Sequence, residues 1–272
     1  MTVPIDVTAL VLRNIRLSSD CNVLVLEAPA IAATAEPGQF VMVRTSTGSD
    51  PLLRRPFSVF ELLRRPDGTP YAFSLLIKRV GPGTTRLFEA SAGDQYACLG
   101  PLGKPFEVVS PPSEAWMVAG GVGLAPFATL AESLLERRTT SILFYGGRSE
   151  RDLFYREWFV SRGVRLELAT EDGSAGVHGL VTTPLGLALE HATRDRHVMI
   201  YACGPEPMLK AVAGLAQAHH RPSQVSTERI MGCGLGGCYS CVVKVRGDGE
   251  HGHFVRSCLH GPVFDGNEIV WE

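Results

Sequence analysis

The sequence lacks a membrane-length apolar run, a cationic excess and an apolar leader. The longest uncharged run, Ala115 to Ala131, is short for a span and is broken by Gly120, Gly121, Gly123 and Pro126. Asp6 and Arg13 interrupt the early apolar residues, so no signal peptide is expected. Lys and Arg number 26 against 28 Asp and Glu, a net charge of −2, which excludes a protein held to nucleic acid by charge alone. There is no internal repeat and no low-complexity tract. The seven cysteines are an odd number, and Cys233, Cys238, Cys241 and Cys258 crowd the end of the chain, which speaks for a local metal site and against a disulfide framework. Reduced thiols point to the cytoplasm. The expectation is a soluble cytoplasmic chain with no membrane or nucleic-acid partner.

What is present is a globular composition. Apolar residues make up 45% of the 272, enough for real cores and too many for a disordered chain. At roughly 150 residues per domain the length suggests about two domains, and the texture divides into three segments. Residues 1–110 read as short strands, among them Val23–Leu26, Phe40–Val43, Phe57–Phe60 and Phe73–Ile77, separated by Gly and Pro clusters. Strands at that spacing predict a small antiparallel β-barrel, with one short helix over Thr84–Ala90. Residues 111–222 alternate strands (Trp116–Ala119, Ile142–Tyr145, Val164–Leu168, Val198–Tyr201) with helical stretches, which predicts an α/β domain on a parallel sheet. Its first helix, Pro126–Arg137, places Phe127, Leu130, Leu134 and Leu135 on one face. Pro111-Pro112 marks the boundary. Residues 223–272 are Cys- and Gly-rich, too short for an unaided core and in need of a metal staple.

The sharpest signal is Cys233-Gly-Leu-Gly-Gly-Cys238-Tyr-Ser-Cys241 with a distant Cys258. The spacing C-x4-C-x2-C with a fourth Cys is the plant-type [2Fe–2S] pattern. A loop must wrap the cluster so that three thiolates and several backbone N–H groups converge, and Gly234, Gly236 and Gly237 permit the positive φ this needs. Zinc competes less well, because only Cys238 and Cys241 have C-x2-C spacing. Compartment disfavours a disulfide. Cys21 and Cys98 read as small buried residues.

Weaker signals gain from their order. Arg54-Arg55-Pro56-Phe57-Ser58 opens a strand, and Pro56 forces Arg55 into an extended conformation that can present its planar fork to a phosphate. Gly81-Pro82-Gly83-Thr84 opens a helix whose free N–H groups suit a pyrophosphate. Gly120-Gly121-Val122-Gly123 does the same between a strand and a helix, although Pro126 stands where the third glycine of the full dinucleotide fingerprint would be. Taken singly these are an ordinary strand edge, a capped turn and a tight βα turn. Arg148 and Arg151 follow the second strand of the α/β segment, where they could meet an adenosine ribose or 2′-phosphate, or be plain solvent-facing charges. His219-His220 and His251-Gly252-His253 lie in polar segments and read as exposed side chains.

Arg-x-[Phe/Tyr]-[Ser/Thr], then Gly-x-Gly-Thr, then Gly-Gly-x-Gly-x-Ala-Pro, then Cys203-Gly204-Pro205 resemble the ferredoxin–NADP reductase superfamily over most of the chain. That resemblance implies FAD on the barrel, held by Arg55, Pro56, Phe57, Ser58, Gly83 and Thr84, with Leu76, Ile77 and Lys78 lining it. It implies NADH, with NADPH not excluded, at Gly120, Gly121, Gly123, Cys203 and Gly204. Phe57 stands where many members have Tyr, so that phenol is absent. Glu228–Gly234 and Ser257–Phe264 closely resemble the cluster segment of the electron-transfer subunits of type B dihydroorotate dehydrogenase. The family implies a [2Fe–2S] cluster on Cys233, Cys238, Cys241 and Cys258, an FMN-containing catalytic dihydroorotate dehydrogenase subunit as partner, and a heterotetramer in pyrimidine biosynthesis. No residue looks like a base for orotate chemistry, as suits a relay. A flavin can take two electrons from a nicotinamide and give them singly to a cluster, so it belongs between them. The related alternatives are reductase subunits of hydrogenases or bifurcating transhydrogenases. A non-catalytic module of the same fold is the reading of another class, and retention of four cluster thiols argues against it.

Overall fold

A computed structural model describes residues 3–46, 48, 50–193, 195–247 and 252–271. His251 of the histidine pair read above lies outside them.

The first sheet is antiparallel and contains β1 (Ile5–Arg16), β2 (Cys21–Glu27), β3 (Phe40–Arg44), β4 (Arg55–Ser58), β5 (Leu62–Arg64), β6 (Pro70–Lys78) and β7 (Gln95–Leu102), with α1 (Pro29–Ala32) and α2 (Pro82–Glu89) on its connections. Its order is β4-β3-β7-β1-β2-β6-β5. The sheet curls into a half-barrel whose edge strands β4 and β5 do not pair with each other among the described residues. Leu24, Leu26, Val41, Val43, Phe73, Leu75 and Ile77 fill the inside. The opposite faces of β2 and β6, through Cys21, Val23, Val25 and Leu76, pack on the next domain. β2 is therefore buried on both faces, and its Val23–Leu26 stretch is continuously apolar rather than alternating.

The second sheet is parallel at its centre, in the order β11-β10-β9-β8-β12-β13-β16. It contains β8 (Glu114–Gly120), α3 (Phe127–Glu136), β9 (Ser141–Gly147), α4 (Arg156–Val160), β10 (Arg165–Thr170), β11 (Val177–His178), α5 (Thr182–His191), β12 (Val198–Cys203), α6 (Glu206–Ala218) and β13 (Ser223–Ser226). In α3, Phe127, Leu130 and Leu134 are buried, but Leu135 is 51% exposed. The helix turns about 100° per residue and carries Leu135 off the face that Leu134 shares with Phe127.

The last segment forms the hairpin β14 (Val242–Val245) and β15 (His253–Arg256), then α7 (Ser257–His260) and β16 (Val263–Asp265). β13 lies parallel to β12, and β16 returns antiparallel to β13. Residues beyond 222 thus complete the edge of the second sheet. No helix among the described residues is long and apolar enough to cross a membrane.

Candidate functional site

At the barrel rim, β4 pairs with β3 so that Arg55 faces Val43, Pro56 faces Met42 and Ser58 faces Phe40. The two adjacent arginines differ. Arg54 makes a bidentate pair with Asp6, at 3.0 and 2.7 Å. Among the described residues, Arg55 hydrogen-bonds only to the carbonyls of Leu53 and Arg54, which leaves most of its donors available there. Gly83, in the first turn of α2, sits against this strand: a Cβ there would lie 3.0 Å from Thr45 Oγ1 and 3.6 Å from Arg55 Cγ. Thr45 Oγ1 is buried and has no hydrogen-bond partner among the described residues. Thr84 Oγ1 accepts from the N–H groups of Val80 and Gly81 and closes the cap. The Gly83 and Thr84 amides occupy helix positions that have no partner within the helix. A free guanidinium, two free amides and an orphaned hydroxyl around a glycine-wide gap fit the diphosphate of a flavin dinucleotide.

The strand expected to line the flavin splits its side chains. Ile77 points into the barrel core, and Leu76 packs in the core shared with the α/β domain. Lys78 pairs with Asp20 at 3.8 Å. It lines a second site, a cavity of about 440 Å³ outside the carboxyl ends of the parallel strands. This lies where strand order reverses, between β8 and β12, the usual place for a nucleotide in an open α/β sheet. Gly120, Gly121, Gly147, Arg148, Glu171 and Met208 are among its walls. Arg151 is not. Glu171, Asp20 and Cys21 came with no sequence signal, because no motif joins them.

The glycine turn is built for contact. A Cβ on Gly123 would be driven into the Cys203 carbonyl. One on Gly204 would lie 2.6 Å from Met208 Cε and 3.1 Å from the Gly120 amide. Turn and Cys203-Gly204-Pro205 segment are thus interlocked. Burial pushes the Cys203 thiol up to about 12, with Ser226 hydrogen-bonded to it and the Glu228 carboxylate nearby. Burial therefore favours the neutral thiol over the thiolate.

In the cysteine loop, Gly234 and Gly236 take φ of 72° and 82°. Gly237 does not; the third left-handed residue is Tyr239, at φ 57°. Its ring lies 4.8 Å under the Arg256 guanidinium, which helps hold it there. Ser240 Oγ accepts from the Gly232 amide at 2.9 Å and contacts Cys238 Sγ at 3.1 Å. Hydrogen bonds from Ser240, then from Cys233, pull the exposed Cys238 thiol down to about 6. The β14–β15 pairing of Val242 with Arg256 brings Cys241 beside Cys258. Burial, then the Cys241 thiol, raise Cys258 to about 12. The thiols therefore approach as two pairs, Cys233 with Cys238 and Cys241 with Cys258. Among the described residues no group of three or more His, Cys, Asp or Glu converges on a single-ion site. Two thiolates per iron is what a [2Fe–2S] cluster takes, so the donor set fits it. His220 and His253 are exposed.

Residues 228–270 match the iron–sulfur cluster binding domain of dihydroorotate dehydrogenase B, and residues 117–214 the oxidoreductase NAD-binding domain. The electron transfer subunit of dihydroorotate dehydrogenase B (NAD(+)) from Desulforamulus reducens is 37% identical over 90% of this chain and 91% of its own. The same subunit from Shouchella clausii is 35% identical over 96% of both chains. The chain belongs to this family. It is an NAD-dependent flavin and iron–sulfur oxidoreductase subunit whose cofactors are FAD, a [2Fe–2S] cluster and NADH. A structure of the NADH-dependent reduced ferredoxin–NADP oxidoreductase, described for flavin-based electron bifurcation, superposes with a TM-score of 0.83 at 28% identity, covering 97% of this chain and 90% of the other. A ferredoxin NADP+ reductase from Neisseria gonorrhoeae shares the fold, with a TM-score of 0.62 at 17% identity over 79% of this chain and 91% of the other.

The cluster loop abuts the barrel. A Cβ on Gly234 of the cluster loop would lie 2.6 Å from Met42 Cγ, and Met42 is the sheet partner of Pro56 in the flavin strand. Met42, Phe40 and Leu102 of the barrel share one core with Met231, Cys241 and Cys258.

Proposed function

We propose that the chain relays electrons from NADH to an FMN-containing dihydroorotate dehydrogenase catalytic subunit in the cytoplasm, within a heterotetramer. The single observation that carries the reading is the contact of Gly234 with Met42, one strand away from Arg55–Ser58. When bound, FAD accepts hydride from the nicotinamide and supplies electrons one at a time to the cluster. Arg55, Gly83 and Thr84 hold the flavin's diphosphate, and Pro56, Phe57 and Ser58 place its ring on β4. Gly120, Gly121, Gly123, Cys203 and Gly204 hold the nicotinamide half of NADH with their backbone. Cys233, Cys238, Cys241 and Cys258 hold the cluster. Leu76, Ile77 and Lys78 of β6 line the flavin, and Lys78 also reaches the nucleotide cavity.

Leu235, Tyr239 and Leu259 are exposed around the cluster loop. Apolar groups left bare beside a redox centre suit a protein acceptor that covers them. All seven cysteines are unpaired, as suits a reducing compartment. The deciding experiment is anaerobic purification of the tagged chain from its host, identification and mass of the complex, and assay of NADH-dependent orotate reduction. A dihydroorotate dehydrogenase partner, with activity that needs both chains, establishes the assignment. The likeness to the bifurcating oxidoreductase favours one alternative: a transhydrogenase or hydrogenase partner without orotate activity would move the chain to that role.

A further inference from the structure

We propose that Glu61 and Tyr155 form a positioning pair through which the barrel sets the wall of the dinucleotide cavity; this rests on the reading of that cavity given above. Glu61 lies between β4 and β5. Its Oε2 accepts from Ser74 Oγ at 3.1 Å and from Tyr155 Oη at 3.4 Å, across the domain interface. The Tyr155 ring also meets Phe60 edge-on, with centroids 4.7 Å apart. Tyr155 sits in the left-handed region, at φ 59° and ψ 18°. A bulky residue stays there only when its surroundings hold it. Two of the three preceding residues explain what is gained. Phe154 and Asp152 line the cavity. The Phe154 amide donates to Tyr145 Oη at 3.2 Å, and Tyr145 Oη donates to the Asp152 carbonyl at 3.1 Å. The left-handed turn at Tyr155 therefore ends a wall segment pinned inside by Tyr145 and outside by Glu61.

Charged groups face the pair from several elements, and Glu132, itself raised by burial, faces Glu61 as a like charge. Arg162, stacked on Trp158 at 3.5 Å, bridges to Glu132 of α3 at 3.4 Å. Arg162 also acts on Glu61, Arg64 of β5 on Glu132, and Arg13 of β1 on Tyr155. Burial outweighs these contacts and lifts Glu61 above the usual carboxylate range. An ionised carboxylate is the stronger acceptor for the phenol. Dinucleotide affinity is therefore present above the Glu61 titration and lost as pH falls through it.

The test uses the FAD- and cluster-loaded chain, with NAD+ affinity by calorimetry and the KM and kcat for NADH with an artificial acceptor, across pH. Tyr155→Phe keeps the ring against Phe60 and removes only the hydroxyl. Glu61→Leu removes the acceptor. Each is expected to weaken NAD+ about tenfold and raise KM in step, with kcat little changed, as loss of a hydrogen bond to a charged group predicts. Glu61→Gln, which still accepts but carries no charge, should hold NAD+ at every pH only as tightly as the wild type does below the Glu61 titration, and so lose the acid limb of its pH profile. Affinity unchanged in Tyr155→Phe and Glu61→Leu, or an acid limb persisting in Glu61→Gln, overturns the proposal. A wild-type chain that does not bind NAD+ overturns the reading of the cavity itself, and the pair with it.

Discussion

Arg54 and Arg55 are neighbours of identical chemistry, and their surroundings give them different work. Arg54 spends its fork on Asp6, at the surface. Such a pair contributes roughly 1 kcal/mol or less. Arg55 is left with donors to spare beside Gly83 and an unpartnered Thr45 hydroxyl. Arg55→Met should therefore purify with little FAD, while Arg54→Met keeps a full complement and melts almost as the wild type does. The flavin absorbance per chain, measured beside a melting curve, separates the two. Equal FAD loss in both variants would show that the choice between the arginines is mistaken. The sequence already singled out Arg55, because Pro56 follows it and fixes its backbone. It could not single out Thr45, whose role depends on α2 arriving from 38 residues further on.

Among the elements, the turn between β8 and α3 and the loop of the cluster show what glycine patterns do and do not reveal. The pattern reads Gly123 as part of a phosphate-binding turn, and Gly120 and Gly121 rather than Gly123 line the cavity. The main constraint on Gly123 in the structure is the Cys203 carbonyl, brought alongside by β12 pairing with β8. Gly123→Ala forces those segments apart, at a cost of roughly 1–3 kcal/mol for an overpacked site. Its NAD+ affinity should fall while FAD and cluster spectra persist; calorimetry together with the visible spectrum reads both. In the cluster loop the pattern predicted Gly234, Gly236 and Gly237 as the residues with positive φ. The third is Tyr239 instead, held by Arg256 from the other strand of a hairpin, an arrangement that composition cannot encode. The α3 face was legible except at Leu135, where one extra residue of helical turn leads to solvent.

Across the whole molecule, local motifs announced the half-barrel, the parallel sheet and the cluster loop, but not that β13 and β16 of the last segment join the second sheet. What lay between the segments was not legible. Glu61 and Tyr155 are 94 residues apart, and Asp20 and Cys21 reach a cavity that belongs to another domain. No periodicity records a contact of that kind, since it arises only when β2 and β6 dock on the α/β core. The same distribution makes the centres separable by mutation. Cys258→Ala should abolish the cluster's visible and electron paramagnetic resonance signals and any transfer to a partner protein. It should leave FAD bound and reducible by NADH, because Arg55–Ser58 themselves are outside the core that Cys258 shares with β3 and β7. Loss of FAD along with the cluster would count against that independence.

The contact of Gly234 with Met42 has a kinetic meaning. Many redox proteins carry one centre on a tethered domain that must swing between donor and acceptor, and their rates slow in thick solvents. Here the cluster loop is packed into the barrel's own side chains, and its flanking strands β13 and β16 are sewn into the neighbouring sheet. The hand-off inside this chain should therefore be indifferent to sucrose or glycerol in stopped-flow experiments, and only the encounter with the outside acceptor should feel the viscosity.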